Sequence, residues 1–316
     1  MHHDKIAVID FGGQYAHLIA TKVRQSQVLA EIRQPEDPIE KFDGYKGIII
    51  SGSPSLASHG EDNEYTPEIL DLDMPIIGFC FGHQQIAEHY GGEVIHGKPE
   101  WGPADLEVVG EHALFEGQPQ RQQVFMSHYD SVVSVGPQFR ELGYTSVAGE
   151  DEHRFAAIGS DSLKRYGFQF HPEVDDTIHG NEMIANFVRK ICGCAPTWTL
   201  EAWVEEEVER IRAQVGDQSV FLLASGGVDS TVAAKMFERA LGPDRLALIH
   251  VDNGLMRKNE SAEVLEMLRG LGLEKALHFV DASEDFLSAL AGVTEPEEKR
   301  TIIGNTFIEV FEREAE

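Results

Sequence analysis

Cysteine and positive charge are both scarce in this chain of 316 residues, and each shortage excludes something. The three cysteines, Cys80, Cys192 and Cys194, are too few and too odd in number for a disulfide framework, which points to a reducing compartment. Cys192 and Cys194 offer at most two metal ligands and have no Cys/His partner set beside them, so they read as structural. Lys and Arg total 26 against 54 Asp and Glu, a formal charge of −28, which argues against nucleic acid or an anionic membrane as partner. No apolar run reaches the ~20 residues that span a bilayer. The opening Met1-His2-His3-Asp4-Lys5 lacks the basic and apolar regions of a signal peptide. A soluble, cytoplasmic protein is expected. Its acidity does not exclude nucleotides, because backbone N–H groups can hold phosphates.

What is present suffices for real cores: 42% of residues are hydrophobic, in a length that fits about two domains. Short β-branched runs alternate with helical stretches. That pattern predicts an α/β architecture of two domains, each with a largely parallel sheet flanked by helices. Residues 6–9, 47–50 and 75–79 read as strands, and 15–24 and 83–90 as helices, the second stopped by Gly91 and Gly92. From residue 101 to 170 helices thin out and turns multiply, so part of the first sheet is expected to be antiparallel. A helix over 181–191 runs into Cys192, Gly193, Cys194, Ala195 and Pro196. The predicted division is a first domain over 1–193, a linker over 194–200 and a second domain over 201–316. The second reads as helix 201–215, strand 219–224, helix 230–241, strand 245–251, helix 260–271 and strand 276–280.

Gly78-Phe79-Cys80-Phe81-Gly82 falls where a strand meets a helix, the arrangement of a nucleophile elbow with Cys in place of Ser. A helix N-terminus aimed at sulfur favours thiolate over thiol. From this motif alone a packed cysteine and a nucleophile both stay open. A nucleophile needs a base and an orienter. His171-Pro172-Glu173 supplies both, at the end of the aromatic run Phe168-Gln169-Phe170, although a strand-end histidine beside a solvated glutamate is common. An oxyanion site needs donors. The N–H of Phe81 and the Gly52 turn in Ser51-Gly52-Ser53-Pro54 are the candidates.

In the second half, Ser225-Gly226-Gly227-Val228-Asp229-Ser230 joins an apolar strand to a helix that continues with Thr231. Two glycines let N–H groups approach an anion, and two hydroxyls add donors. Without a lysine it is not a Walker A loop. Residues 92–98 do fit G-x-x-x-x-G-K, but Pro99 stands where Ser or Thr would bind Mg²⁺. His171-Pro172-Glu173 lacks the P-C-x-x-C of zinc deaminases, and Ser127 before His128 lacks an elbow.

Gly78 to Gln84 matches G-x-C-x-G-x-Q, and the late H-P-E completes a resemblance to the class I glutamine amidotransferases. That resemblance implies a triad of Cys80, His171 and Glu173 that hydrolyses glutamine through a glutamyl thioester. It implies that Gln84 and the segment Ser127, His128, Tyr129 and Asp130 help to hold glutamine. Ser53 departs from the family's S-G-G-P, while Gly52 is kept. The S-G-G-V-D-S loop resembles that of the ATP pyrophosphatases, with Asp229 as the Mg²⁺ ligand and the segment around Val251 meeting adenosine. Both sets in this order resemble the glutamine-hydrolysing GMP synthetases, as do Asp10-Phe11-Gly12-Gly13-Gln14-Tyr15 and the stretch around Arg300. The family then implies a flavodoxin-like amidotransferase domain followed by an adenine-nucleotide α-hydrolase-like domain. It implies ATP as substrate and Mg²⁺, with Arg300 contacting xanthosine 5′-phosphate. The family continues with a lysine-bearing lid and a dimerisation domain. Neither is read in residues 1–316, so a partial chain is expected, with a homodimer only where that region is present. A stand-alone glutaminase and another phosphate-loop ligase or tRNA-modifying pyrophosphatase are the alternatives.

Overall fold

The computed structural model describes residues 3–12, 15–53, 67–146 and 153–315, and of residues 97, 98, 146 and 315 the backbone alone. Gly13, Gln14 and Pro54 of the motifs above, and the side chain of Lys98, lie outside the described residues. The chain forms two compact units, Met1–Thr199 and Leu200–Glu316. Among the described residues no helix is long and apolar enough to cross a membrane.

The first unit is built on a nine-stranded sheet in the order β2-β1-β3-β4-β9-β8-β7-β5-β6. Its parallel half comprises β1 (Lys5–Ile9), β2 (Leu29–Arg33), β3 (Gly47–Ile50), β4 (Ile76–Phe79) and β9 (Arg165–Phe168). Every residue of β3, β4 and β9 is buried, as expected of strands covered on both faces. The antiparallel half holds β5 (Glu93–Val108), β6 (Arg121–Ser134), β7 (Arg140–Ser146) and β8 (His153–Ser160). This is the helix-poor stretch of the sequence. Helices α1 (Ala16–Gln25), α2 (Phe81–His89) and α3 (Gly180–Asn186) cover the sheet. The single helix expected over 181–191 becomes α3 followed by a wider π-type turn, Phe187–Ile191. Two apolar clusters flank the sheet, one including Ile77, Phe79, Phe168, Phe170 and Phe187, the other Ile48, Ile50, Phe81 and Ile86.

Cys192 and Cys194 are free thiols. Cys194 packs into the first cluster, and Cys192 lies against Gly47, where a Cβ would meet its Sγ at 2.5 Å. Burial pushes the Cys192 thiol well above its ordinary range and that of Cys194 up to about 11. Residues 93–98 belong to strand β5, which is no phosphate-binding strand-to-helix turn.

The second unit carries a parallel sheet β10-β11-β12, formed by Val220–Leu223, Leu246–Asp252 and Leu277–Asp281. Around it lie α4 (Leu200–Val215), α5 (Val228–Leu241), α6 (Glu260–Gly270), α7 (Ser283–Ala289) and α8 (Pro296–Ala315). Only Val208 of α4 is fully buried, so the glutamates between Glu201 and Glu209 lie on a largely solvated helix.

Candidate functional site

The elbow owes its shape to contacts that only glycine permits. A Cβ on Gly78 would lie 2.1 Å from the carbonyl carbon of Gly82, and one on Gly82 would lie 2.7 Å from the Ile50 carbonyl oxygen. Helix α2 can therefore start directly off β4 and press against β3. Cys80, between them, takes φ 51° and ψ −104°, a conformation L residues rarely adopt. Its backbone N–H donates to the Phe168 carbonyl at 2.8 Å, extending the β4–β9 ladder to Cys80. The side chain is buried at the N-terminus of α2, where Phe81 begins the helix and first-turn N–H groups have no intrahelical acceptor.

His171 follows β9 and is held from the backbone upward. Its N–H donates to the Phe125 carbonyl at 3.0 Å, and its carbonyl accepts from the Thr177 hydroxyl at 2.6 Å. That hydroxyl in turn accepts from the Phe125 N–H at 3.0 Å. Gly180, opening α3, lies so close to the H-P-E turn that a Cβ there would fall 1.9 Å from the Pro172 oxygen. Proline thus turns the chain back under the ring, and His171 Nδ1–H donates to Glu173 Oε1 at 2.7 Å. Glu173 is fully buried, and the ring of Tyr15 lies 5.2 Å from that of His171.

Cys80, His171 and Gly52 meet at one place: a Cβ on Gly52 would lie 3.3 Å from His171 Cε1 and 3.6 Å from Cys80 Cβ. Burial alone would drive the His171 imidazole toward its neutral form. The Glu173 charge and hydrogen bonds to Cys80 and Glu173 outweigh it and hold the imidazole well above the ordinary histidine value. The sulfur also lies 3.5 Å from the Ser127 carbonyl oxygen, within reach of a thiol hydrogen bond. Ser51, whose hydroxyl accepts from the Phe11 N–H at 3.3 Å, fixes the turn that carries Gly52.

Strand β6 closes the site. Gln84 Nε2 donates to the Asp130 carbonyl at 2.7 Å and to Gln169 Oε1 at 3.3 Å. Tyr129 is 62% exposed and lies edge-on to Trp101, which is also exposed. His128 points the other way. It is buried, with Nδ1 at 2.9 Å from the Asp130 carbonyl and Nε2 at 3.2 Å from Glu100 Oε2. Its side chain is committed to the protein interior. Glu100 escaped the sequence reading, because a glutamate in a strand carries no local mark of burial.

In the second unit, Ser225, Gly226, Gly227, Val228, Asp229, Ser230 and Thr231 connect β10 to α5 as a tight loop. Gly226 has φ +83°, and a Cβ there would strike Val264 of α6 at 2.4 Å. The Ser225 and Ser230 hydroxyls are 3.1 Å apart, and Ser225 Oγ accepts from the Gly227 N–H at 3.3 Å. The Ser230 and Thr231 hydroxyls donate to the Gly227 carbonyl, at 3.1 and 2.8 Å. Asp229 sits in the exposed first turn of α5. His250, buried in β11, binds the Ala224 carbonyl at 2.8 Å, one residue before the loop. The Val251 side chain is part of an apolar cluster. Arg300 is exposed on α8 and paired with Glu297 at 2.7 Å, with no described hydrogen bond or ion pair joining it to the loop.

Comparison with known proteins places this geometry. The family model for glutamine amidotransferase class-I matches residues 7–191, and that for NAD synthase matches residues 198–306. A relative named GMP synthase [glutamine-hydrolyzing] from Symbiobacterium thermophilum is 46% identical over 99% of this chain and 60% of its own length. One of the same name from Aquifex aeolicus is 45% identical over 100% of this chain and 61% of its own length. The chain thus spans about three-fifths of the length of these curated relatives. A solved structure of a protein assigned as a GMP synthase subunit, from Thermoplasma acidophilum, shares 27% identity and a TM-score of 0.52, covering 61% of this chain and 96% of that one. With a glycine-tight cysteine elbow, a histidine–glutamate pair beside it and a family model that spans residues 7–191, the chain belongs to the class-I glutamine amidotransferase family.

Proposed function

We propose that the first unit hydrolyses glutamine, with Cys80 as nucleophile, His171 as its base and Glu173 as the group that orients the imidazole. The observation that carries this reading is the convergence of a strained elbow cysteine, a buried histidine–carboxylate pair and the Gly52 turn on one spot. In the reaction Cys80 sulfur attacks the side-chain amide carbon of glutamine while His171 takes the thiol proton. The N–H groups of Phe81 and Gly52 stabilise the oxyanion that forms. His171 then returns the proton to the departing nitrogen, ammonia leaves, and water hydrolyses the glutamyl thioester along the same proton path. Gln84, Ser127, Tyr129 and Asp130 form the wall against which glutamine lies, and His128 supports it from behind.

The second unit binds ATP at residues 225–231, where loop N–H groups, hydroxyls and the start of α5 suit the phosphates. No group of three or more His, Cys, Asp or Glu among the described residues is arranged to hold a metal. The fit is instead to Mg²⁺ carried by nucleotide phosphates, with Asp229 as the protein carboxylate, as hard oxygen donors require. Bound there, Mg²⁺ would neutralise phosphate charge. At the level of the full-length relatives, glutamine-derived ammonia would aminate xanthosine 5′-phosphate to GMP with release of AMP and pyrophosphate, Arg300 being the candidate contact for that nucleotide. The NAD synthase match over residues 198–306 supports a second reading, in which ammonia is delivered to a different ATP-activated acceptor. The test is glutamate release from glutamine by the wild type and by Cys80→Ala, with ATP, Mg²⁺ and xanthosine 5′-phosphate present or absent. Hydrolysis that survives Cys80→Ala would overturn the glutaminase reading.

A further inference from the structure

Behind the wall of the thiol site lies a buried polar cluster that no step above uses. Its centre is Glu100, 5% exposed. Glu100 Oε1 accepts from the Thr145 hydroxyl of β7 at 2.9 Å. Glu100 Oε2 faces His128 Nε2 of β6 at 3.2 Å and His153 Nδ1 of β8 at 3.3 Å. One carboxylate therefore ties together four strands of the antiparallel half.

A break in the ladder brings it there. His96 pairs with Asp130 and Glu100 with His128, so four steps along β5 match two along β6. In an unbroken ladder residue 98, a lysine, would stand opposite His128. The irregularity between His96 and Glu100 replaces it with a carboxylate, as bulges beside functional sites re-aim side chains.

The hydrogen-bond valences fix what His128 does. The Asp130 carbonyl can only accept, so Nδ1 of His128 carries the hydrogen of that 2.9 Å bond. Nε2 then shares a hydrogen with the Glu100 carboxyl. The same Asp130 carbonyl accepts from Gln84 Nε2, and the Ser127 carbonyl accepts from the Cys80 thiol. The Asp130 carboxylate is taken up by His96 Nδ1 at 2.7 Å.

We propose that Glu100 is a positioning residue: it anchors His128, and through His128 sets the Ser127 carbonyl against Cys80 and the Asp130 carbonyl against Gln84. The inference rests on the glutaminase reading and deepens it. The hydrogen-bond chain runs from a buried carboxylate, through an imidazole, to the Asp130 carbonyl that faces the Gln84 amide, and the Ser127 carbonyl that faces the thiol is peptide-bonded to that same His128. Glu100 touches neither substrate nor sulfur, so its loss acts on how glutamine is seated.

The test measures glutaminase kcat and KM for Glu100→Ala, Glu100→Gln and wild type, with folding followed by circular dichroism. In Glu100→Gln the amide N–H donates to His128 Nε2 and the amide oxygen accepts from Thr145, so the chain is kept. Glu100→Ala should raise KM for glutamine about tenfold or more with kcat changed much less, in line with small misplacements at a reacting site. Glu100→Gln should stay within about threefold of wild type. A folded Glu100→Ala with unaltered KM, or one that loses kcat alone, overturns the inference. Where Glu100→Ala does not fold, Glu100→Gln decides: a KM near wild type supports the inference and a large rise overturns it. A wild type that neither hydrolyses glutamine nor is labelled at Cys80 by a glutamine-analogue electrophile overturns the glutaminase reading itself, which separates the two failures.

Discussion

Gly78 and Gly82 face each other across the elbow so closely that a Cβ on the first would sit 2.1 Å from the carbonyl carbon of the second. The obstructing atoms are backbone and cannot rotate away. Gly78→Ala is therefore expected to destabilise the first unit by more than the ~1–3 kcal/mol typical of overpacking and to abolish glutamine hydrolysis. Denaturant unfolding and a glutaminase assay measure both. Native stability with native activity would show that the elbow relaxes more easily than its contacts allow.

The three thiols should separate cleanly by reactivity. Cys192 and Cys194 are held protonated by burial, whereas Cys80 stands beside His171 and the start of α2. A glutamine-analogue electrophile should modify Cys80 alone, as read by peptide mass spectrometry, and Cys80→Ala should eliminate both labelling and hydrolysis. Modification concentrated on Cys192 or Cys194 would refute the assignment.

Glu173→Gln tests the histidine pair through pH. In the folded protein the His171 value is raised against the pull of burial by the Glu173 charge and hydrogen bonds to Cys80 and Glu173. A raised value stabilises the fold fully below the unfolded histidine value of about 6.5 and ceases to do so as pH rises through the folded value. The stability gap between wild type and Glu173→Gln should accordingly be widest near pH 6 and narrow in alkali, while the variant's imidazole titrates lower by NMR. A gap that widens with pH would contradict the sign of the coupling.

At the phosphate loop, Asp229→Ala and Gly226→Ala should weaken ATP–Mg²⁺ binding by different routes. The first removes a carboxylate from the exposed first turn of α5; the second forces a side chain into Val264 at φ +83°. Losses of about tenfold, roughly 1.4 kcal/mol, are expected by calorimetry. Only Asp229→Ala should leave the thermal stability of the second unit unchanged.

The parts legible in the sequence are those whose meaning is local. A cysteine between two glycines, a histidine two residues before a glutamate and a serine–glycine loop each sit on one strand end. Their spacing carries the resemblance to the family, and the alternation of apolar runs with helices yields the α/β layout. What escaped depends on distant partners. Strand β2 alternates polar and apolar residues at a sheet edge and lacks the continuous apolar signature of β3 and β4. His128 entered as a glutamine contact through the family resemblance of residues 127–130, which does not say which way a side chain turns. Its inward turn follows from the strand's two-residue period and from a bulge on β5, neither marked in residues 127–130. Gly180 reads as an ordinary helix start until its approach to Pro172 is seen.

Adjacent strands β4 and β9 lead into Cys80 and His171, the proposed nucleophile and base, yet the chain between them first builds all four antiparallel strands. Cys80 and His171 cannot meet until that excursion has closed, a long loop whose ordering comes before any contact rewards it. Regained activity would then be a clock for the last event in refolding of the first unit, running behind any optical signal that reports β1, β2 and β3. On the proposed reading, thiol chemistry is in this sense withheld from half-folded chains: an elbow that forms early has no His171 beside it until the rest of the sheet is in place.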